Sequence, residues 1–257
     1  MIRVEHASVS FGGLKAVDDV SFDIPSGQIT GLIGPNGAGK TTMFNAIAGH
    51  VPLSSGKIFL NGTDISDEPP HKRAVQGLAR TFQIPHEFSR LTVLENLMAA
   101  TAMPMGENIL NVVFRRARFE AEEQRVLDEA WAMTDFLELG HVALEQAENL
   151  SGGQKKLLEL GRALMRKPDI ILLDEIGAGI NRTLLGKIAD KIKALNVDQG
   201  LTFCLIEHDL GYVKSLCDSA IVLVQGRMLM HGPVDTVETD ERVIEAYFGG
   251  GKYEAAL

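Results

Sequence analysis

The residues best suited to chemistry stand in one short turn. Residues 31–42 read GLIGPNGAGKTT, and within them Gly34-Pro35-Asn36-Gly37-Ala38-Gly39-Lys40-Thr41 fits the pattern G-x-x-x-x-G-K-[ST]. Glycine inside regular structure costs roughly 1 kcal/mol against alanine, so several in one turn need a reason. Small residues let successive N–H groups converge on an anion, and a helix starting where the turn ends adds partial positive charge. The Lys40 ammonium can reach the outer phosphates of a nucleotide triphosphate. The Thr41 hydroxyl, with Thr42 beside it, is a hard oxygen of the kind that Mg²⁺ takes. The context agrees: residues 28–33 read as a short buried strand before the turn, and 42–49 as a helix closed by Gly49 after it. The turn is read as a binding site for ATP or a similar triphosphate.

Residues 169–175, DIILLDE, form an apolar strand pattern ending in Asp174 and Glu175. In a parallel sheet, ligands gather beyond the carboxyl ends of the strands, where these acids would face the phosphate turn. Asp174 would support a Mg²⁺ shell, and Glu175 would polarise the attacking water as general base. Two carboxylates at a strand end are common at exposed termini; the phosphate turn is what gives these a role.

About twenty residues before those acids comes NLSGGQ, with Ser151, Gly152, Gly153 and Gln154 opening a helical pattern. Alone, SGG is an ordinary helix cap. In this order, between a phosphate turn and an acidic strand end, it resembles the signature of the ATP-binding-cassette family. The resemblance implies further roles: Phe11, twenty-nine residues before Lys40, stacks on adenine. Gln83, in RTFQ, senses Mg²⁺ and leads into the contact with membrane subunits. His208, in LIEHD, contacts the γ-phosphate. It also implies a dimer, either of two copies or with a sister cassette, in which Ser151, Gly152, Gly153 and Gln154 of one subunit cover ATP held by Lys40 of the other.

The stretches FGGLKAV, RTFQIPHEFSRLTVLENL, LIEHDLGYVKSLCD and VIEAYFGG are similar to ATPases of branched-chain (hydrophobic) amino-acid uptake. Cassettes for urea or amide import and for lipopolysaccharide or lipid export share much of this pattern. The resemblance implies membrane permease subunits, a second ATPase subunit and an extracytoplasmic solute-binding protein as partners, at the inner face of the cell membrane. A soluble cassette acting on chromosomes would need a long coiled coil between Thr41 and Ser151, and no sustained heptads occur there. Two positions depart from the family: Ile176 follows Glu175 where proline is usual, and Arg182 stands where this branch usually has proline. Both change loop stiffness and remove no reacting group.

The elements that must position these residues read as α/β. Residues 2–30 alternate apolar and polar as a small antiparallel region, and SGKIFLNGTDIS reads as a hairpin turning at Asn61-Gly62. Strand runs at 169–173, 201–206 and 219–224 alternate with helical segments, which implies a mostly parallel sheet covered on both faces. Residues 90–165 read as a helical insertion whose charged stretch, 115–139, is a solvated helix face. The expectation is one P-loop NTPase domain of the ABC-cassette type over 1–257. Its core and antiparallel β region would take residues 1–89 and 166–257, and its helical subdomain about 90–165. The chain is 45% hydrophobic, enough for a sizeable core, and its 25 basic and 34 acidic residues give a net charge of −9. That balance, with no long Lys/Arg run, argues against a nucleic-acid partner. Cys204 and Cys217 lack metal-ligand spacing and read as reduced thiols, Cys204 packed in a strand. No secretory signal and no 18-residue apolar stretch stands out, so a cytoplasmic, peripheral location is expected.

Overall fold

The alternating residues at the start of the chain form a hairpin, β1 (Ile2–Phe11) and β2 (Leu14–Ile24). In the computed structural model, which describes residues 1–81, 87–101 and 116–248, the chain continues through β3 (Ile29–Ile33), α1 (Lys40–Ala48), β4 (Ser55–Leu60), β5 (Thr63–Asp64), α2 (Pro70–Val75) and β6 (Leu78–Arg80). Helices α3 (Val93–Ala100), α4 (Arg116–Phe136) and α5 (Gly152–Leu164) come next, followed by β7 (Ile170–Asp174), α6 (Arg182–Gln199), β8 (Thr202–Ile206) and α7 (Leu210–Leu216). The last described elements are β9 (Ser219–Val224), β10 (Arg227–Pro233), α8 (Val234–Thr239) and α9 (Glu241–Phe248).

The strands form two sheets. One is antiparallel, in the order β2-β1-β4-β5, with Asn61 and Gly62 both at positive φ (50° and 85°) in the β4–β5 turn. That pair of angles is what a two-residue hairpin turn needs, and Asn-Gly supplies it. The other sheet runs β10-β9-β3-β8-β7-β6, parallel except for β10 at its edge. Every residue of β3, β7 and β8 is buried, which is why they read as mostly apolar runs without alternation, with Thr30, Asp174 and Thr202 as the polar exceptions. Strand β3 lies between β8 and β9, so the three strand ends of interest, after Ile33, Asp174 and Ile206, belong to adjacent strands.

Met43, Phe44 and Ile47 of α1 are fully buried in a cluster with Ile2, Val4, Ile24 and Ile58 from the antiparallel sheet. Leu32, Ile206 and Ile221 of the parallel sheet belong to the same cluster. Burying each such side chain contributes about 1.5–3 kcal/mol, which anchors α1 and the turn preceding it. The helix starts at Lys40, two residues before the point the sequence pattern suggested, because Gly39 (φ 97°) already serves as its cap.

The chain divides into two compact units. The first takes Met1–Arg80, Pro168–Gly177 and the chain from Ala189 onward; the second takes Thr81–Lys167 and Ala178–Ile188. The described residues of the second unit are mainly helical. Helices α3 and α5 both start with reciprocal capping boxes, Thr92 with Glu95 and Ser151 with Gln154. Asn96, with no exposed surface, exchanges hydrogen bonds with the Phe88 backbone and also donates to the carbonyls of Leu91 and Thr92, fixing the approach to α3. The charged helix α4 buries Val126 and Ala130. Among the described residues, no helix is long and apolar enough to cross a membrane.

Candidate nucleotide-binding site

The turn between β3 and α1 is pinned on both sides by backbone. Gly34 has φ 146°, and a Cβ there would lie 2.0 Å from the Leu223 carbonyl oxygen; at Gly39 it would lie 2.5 Å from that of Ala16. Only glycine fits these approaches. The Gly226 N–H donates to Ala38 O (3.1 Å), and Asp18 N–H donates to Gly226 O (2.8 Å), so the turn is knitted to both the β1–β2 hairpin and the β9–β10 connection. No side chain caps the start of α1. Its first amides therefore remain available to an anion.

Lys40 is buried, 6% exposed, and its Nζ donates to the carbonyls of Gly34 (2.8 Å) and Pro35 (3.0 Å). Burial pushes the ammonium pKa down, while Glu175 and Asp174 oppose the shift. A cleft of about 450 Å³ is lined by residues 36–42 together with Glu175 and His208. Leu14, Lys15, Ala16, Gln225 and Gly226 complete its lining. Leu14, Lys15 and Ala16 lie in FGGLKAV, which carried a resemblance but no site role, and Gln225 and Gly226 carried no linear signal; all five reach the turn because the hairpin and the β9–β10 connection hold it.

The register of the sheet explains why acid and histidine meet. Asp174 pairs with Ile206 across β7 and β8, so Glu175 and Glu207-His208 leave the sheet side by side. Glu175 Oε1 lies 2.7 Å from His208 Nε2, and the Glu175 N–H donates to Ile206 O (3.1 Å). Glu175 adopts φ 48°, a left-handed conformation uncommon for a residue with a side chain. Asp174 is buried; its Oδ2 accepts from Arg80 Nη2 (2.9 Å), and Arg80 Nη1 donates to Asn45 Oδ1 (2.6 Å) on α1. Glu207, also buried, accepts from the Gly177 N–H (2.9 Å), and burial pushes its carboxyl pKa up. The sequence reading singled out neither Arg80, Asn45 nor Glu207. Glu207 precedes His208 at a strand end and Arg80 opens RTFQ, which are the linear hints among them. Ile176, in place of the usual proline, is buried.

Other expected positions fall elsewhere. Phe11 ends β1 about half exposed and is not among the residues lining the cleft, whereas its hairpin partner Leu14 is. Gln83 lies outside the described residues. Ser151, Gly152, Gly153 and Gln154 belong to the helical unit. There the Ser151 Oγ accepts from Gln154 N–H (3.3 Å), and Gln154 Oε1 accepts from Ser151 N–H (2.9 Å). This cap occupies the amides of Ser151 and Gln154, not those of Gly152 and Gly153, the first two residues of α5. Arg182, the second departure, opens α6.

A glycine cradle after one parallel strand, carboxylates after the second and a histidine after the third define a phosphate-loop nucleotide-binding core. Residues 17–178, more than half of the chain, match the family described as "ABC transporter". The "Probable branched-chain amino acid transport ATP-binding protein LivG" of Archaeoglobus fulgidus is 36% identical over 97% of this chain and 95% of its own length. The "High-affinity branched-chain amino acid transport ATP-binding protein BraF" of Pseudomonas aeruginosa is 35% identical over 97% and 98%. A crystal structure of a nucleotide-free ATP-binding cassette from an ABC transporter is similar with a TM-score of 0.83 at 36% identity, over 97% of this chain and 99% of that one. The ADP conformation of an ABC-transporter cassette gives 0.83 at 37%, over 97% and 98%. The chain belongs to the ABC transporter family, and it is an ATP-hydrolysing cassette of that family.

Proposed function

We propose that this protein is the ATPase subunit of an importer that takes up branched-chain amino acids, docked through permease subunits on the inner face of the cell membrane. The observation that carries the chemistry is the convergence of Glu175 and His208 on the cleft lined by the glycine turn. The relatives named for branched-chain amino-acid transport, matching over nearly the full chain, support the cargo.

In this reading the amides of residues 37–41 and the Lys40 ammonium bind the outer phosphates. Lys40 exchanges its two carbonyl partners, Gly34 and Pro35, for phosphate oxygens as the triphosphate enters. Glu175 takes a proton from the attacking water, and His208 orients both that carboxylate and the γ-phosphate. Thr41 and Asp174 are hard oxygen donors that fit Mg²⁺, with Gln83 as a further ligand. Among the described residues no group of three or more His, Cys, Asp or Glu could hold a metal ion, and the cation would take its remaining ligands from phosphate oxygens and water. When bound, it neutralises phosphate charge. Ser151, Gly152, Gly153 and Gln154 cover the ATP of a second subunit, so ATP links the two and hydrolysis loosens them. Phe11 is assigned to the adenine, and a solute-binding protein outside the membrane delivers cargo to the permease.

Glu175→Gln tests the centre of this reading. The variant should bind ATP normally, hydrolyse it at least about 100-fold more slowly and double its mass in ATP by light scattering. Turnover near the parent rate would remove Glu175 as base. For the cargo, the co-purified permease in proteoliposomes should show ATPase stimulation by leucine, isoleucine or valine with binding protein. Stimulation by urea or an amide alone would reassign it.

A further inference from the structure

We infer that Tyr247 is a positioning residue for the phosphate turn, holding the first amide of the turn from helix α9. This deepens the reading of residues 34–41 as the nucleotide site and rests on it. The Tyr247 hydroxyl oxygen accepts a hydrogen bond from the Gly34 N–H at 2.7 Å, a contact spanning 213 positions of sequence. Helix α9 brings the phenol there, anchored by buried Val243 and by Asp240, whose carbonyl receives the amides of Val243 and Ile244.

Gly34 is where the chain leaves β3 and begins the turn. Its positive φ and the absence of a Cβ let it press against the Leu223 carbonyl, a conformation that no other residue type tolerates there. In that conformation its N–H is donated to the phenol. Its carbonyl, on the other side of the same Cα, accepts from Lys40 Nζ at 2.8 Å. One residue is therefore held at its amide by Tyr247 and at its carbonyl by the lysine that reaches for phosphate. Rotation of Gly34 would carry the carbonyl, and with it the resting place of the ammonium. The phenol opposes that rotation. Burial raises the Tyr247 pKa to about 12, so the group is a neutral hydroxyl at physiological pH. A neutral phenol can accept the amide and still keep its own proton. Phenylalanine would keep the ring and leave the amide without its acceptor.

Tyr247→Phe separates positioning from packing. The expected result is a folded protein whose Kd and KM for ATP rise about five- to thirty-fold, with kcat at saturating ATP within about two-fold of the parent. An unchanged Kd in the folded variant, or a fall in kcat with Kd intact, would overturn the assignment. Hydrogen exchange of ¹⁵N-glycine-labelled protein reads the contact itself. In the parent, the Gly34 amide should exchange far more slowly than that of exposed Gly37, and Tyr247→Phe should remove the difference. Equal exchange at the two glycines in the parent overturns the proposal even if the variant fails to fold. A parent that protects Gly34 yet binds no nucleotide overturns the reading of the turn as the nucleotide site, and the positioning role with it.

Discussion

A methyl group added at Gly34 would meet the Leu223 carbonyl oxygen at 2.0 Å, and a backbone oxygen in the middle of a sheet has nowhere to go. A methyl added at Gly152 would meet nothing within 4 Å. The two glycines therefore answer different demands, although both stand in glycine-rich motifs. Gly34→Ala should destabilise the protein by about 3 kcal/mol through backbone strain and overlap, read in a denaturant melt. Gly152→Ala should leave the same melt unchanged while lowering ATP hydrolysis, if the start of α5 covers the nucleotide of a second subunit. Loss of stability at Gly152 with normal hydrolysis would make the motif a plain helix cap. What was legible at this scale was whatever lies within a few adjacent residues: the turn, the acids after β7 and the capping pattern of Ser151 to Gln154. The partners of those residues were not, because Arg80 meets Asp174, Glu207 meets Gly177 and Tyr247 meets Gly34 only after folding.

Helix α1 carries the turn at its start, so its other end matters for the site. Arg73 is 2% exposed and makes four hydrogen bonds to backbone carbonyls. Two of them, both 2.7 Å, go to Ala46 and Ile47 in the last turn of α1, and the others go to Ser66 and Glu68. Carbonyls at a helix end lack partners within the helix, and a cation there also suits the helix dipole. Gly49 closes the helix at φ 80°, and any side chain there would collide with Arg73 Nε at 2.8 Å. Arg73→Met keeps the bulk of the stem and removes four hydrogen bonds to carbonyls, of which that of Ala46 keeps the Gly49 N–H (3.1 Å); it should cost roughly 2–4 kcal/mol in urea unfolding. A loss under about 1 kcal/mol would mean that water replaces the guanidinium. The sequence shows Gly49 as a helix stop without showing that an arginine fills the space beside it. Similarly, β3, β7 and β8 stood out as mostly apolar runs, whereas β6, with three residues, and the more exposed edge strand β10 offered no comparable pattern.

At the scale of the molecule, alternation of strand and helix implied a parallel sheet, but not that β3 would lie between β8 and β9. Strand order depends on crossovers that no local pattern records. The two thiols sit in this framework, Cys204 in β8 and Cys217 just after α7, both buried and both with pKa values raised by that burial. Neither should react with a thiol reagent at pH 8 in the native protein, and both should react on unfolding. Adding ATP should slow the labelling, because a ligand of the folded state lowers the population of open forms. Rapid native labelling would show that the sheet opens locally near β8.

The walls of the phosphate turn come late in the chain. Ala16 and Asp18 are made before it, but the Leu223 carbonyl, the Gly226 amide and the Tyr247 hydroxyl follow it by some two hundred residues. A ribosome thus delivers the loop well before several of its supports, and a nascent chain lacking β9 to α9 has Ala16 beside Gly39 but no Leu223 carbonyl beside Gly34. Contacts between such distant segments form only after a large entropic cost has been met. Competence to hold nucleotide in this geometry is therefore expected only once β9 to α9 have been made and packed against the turn.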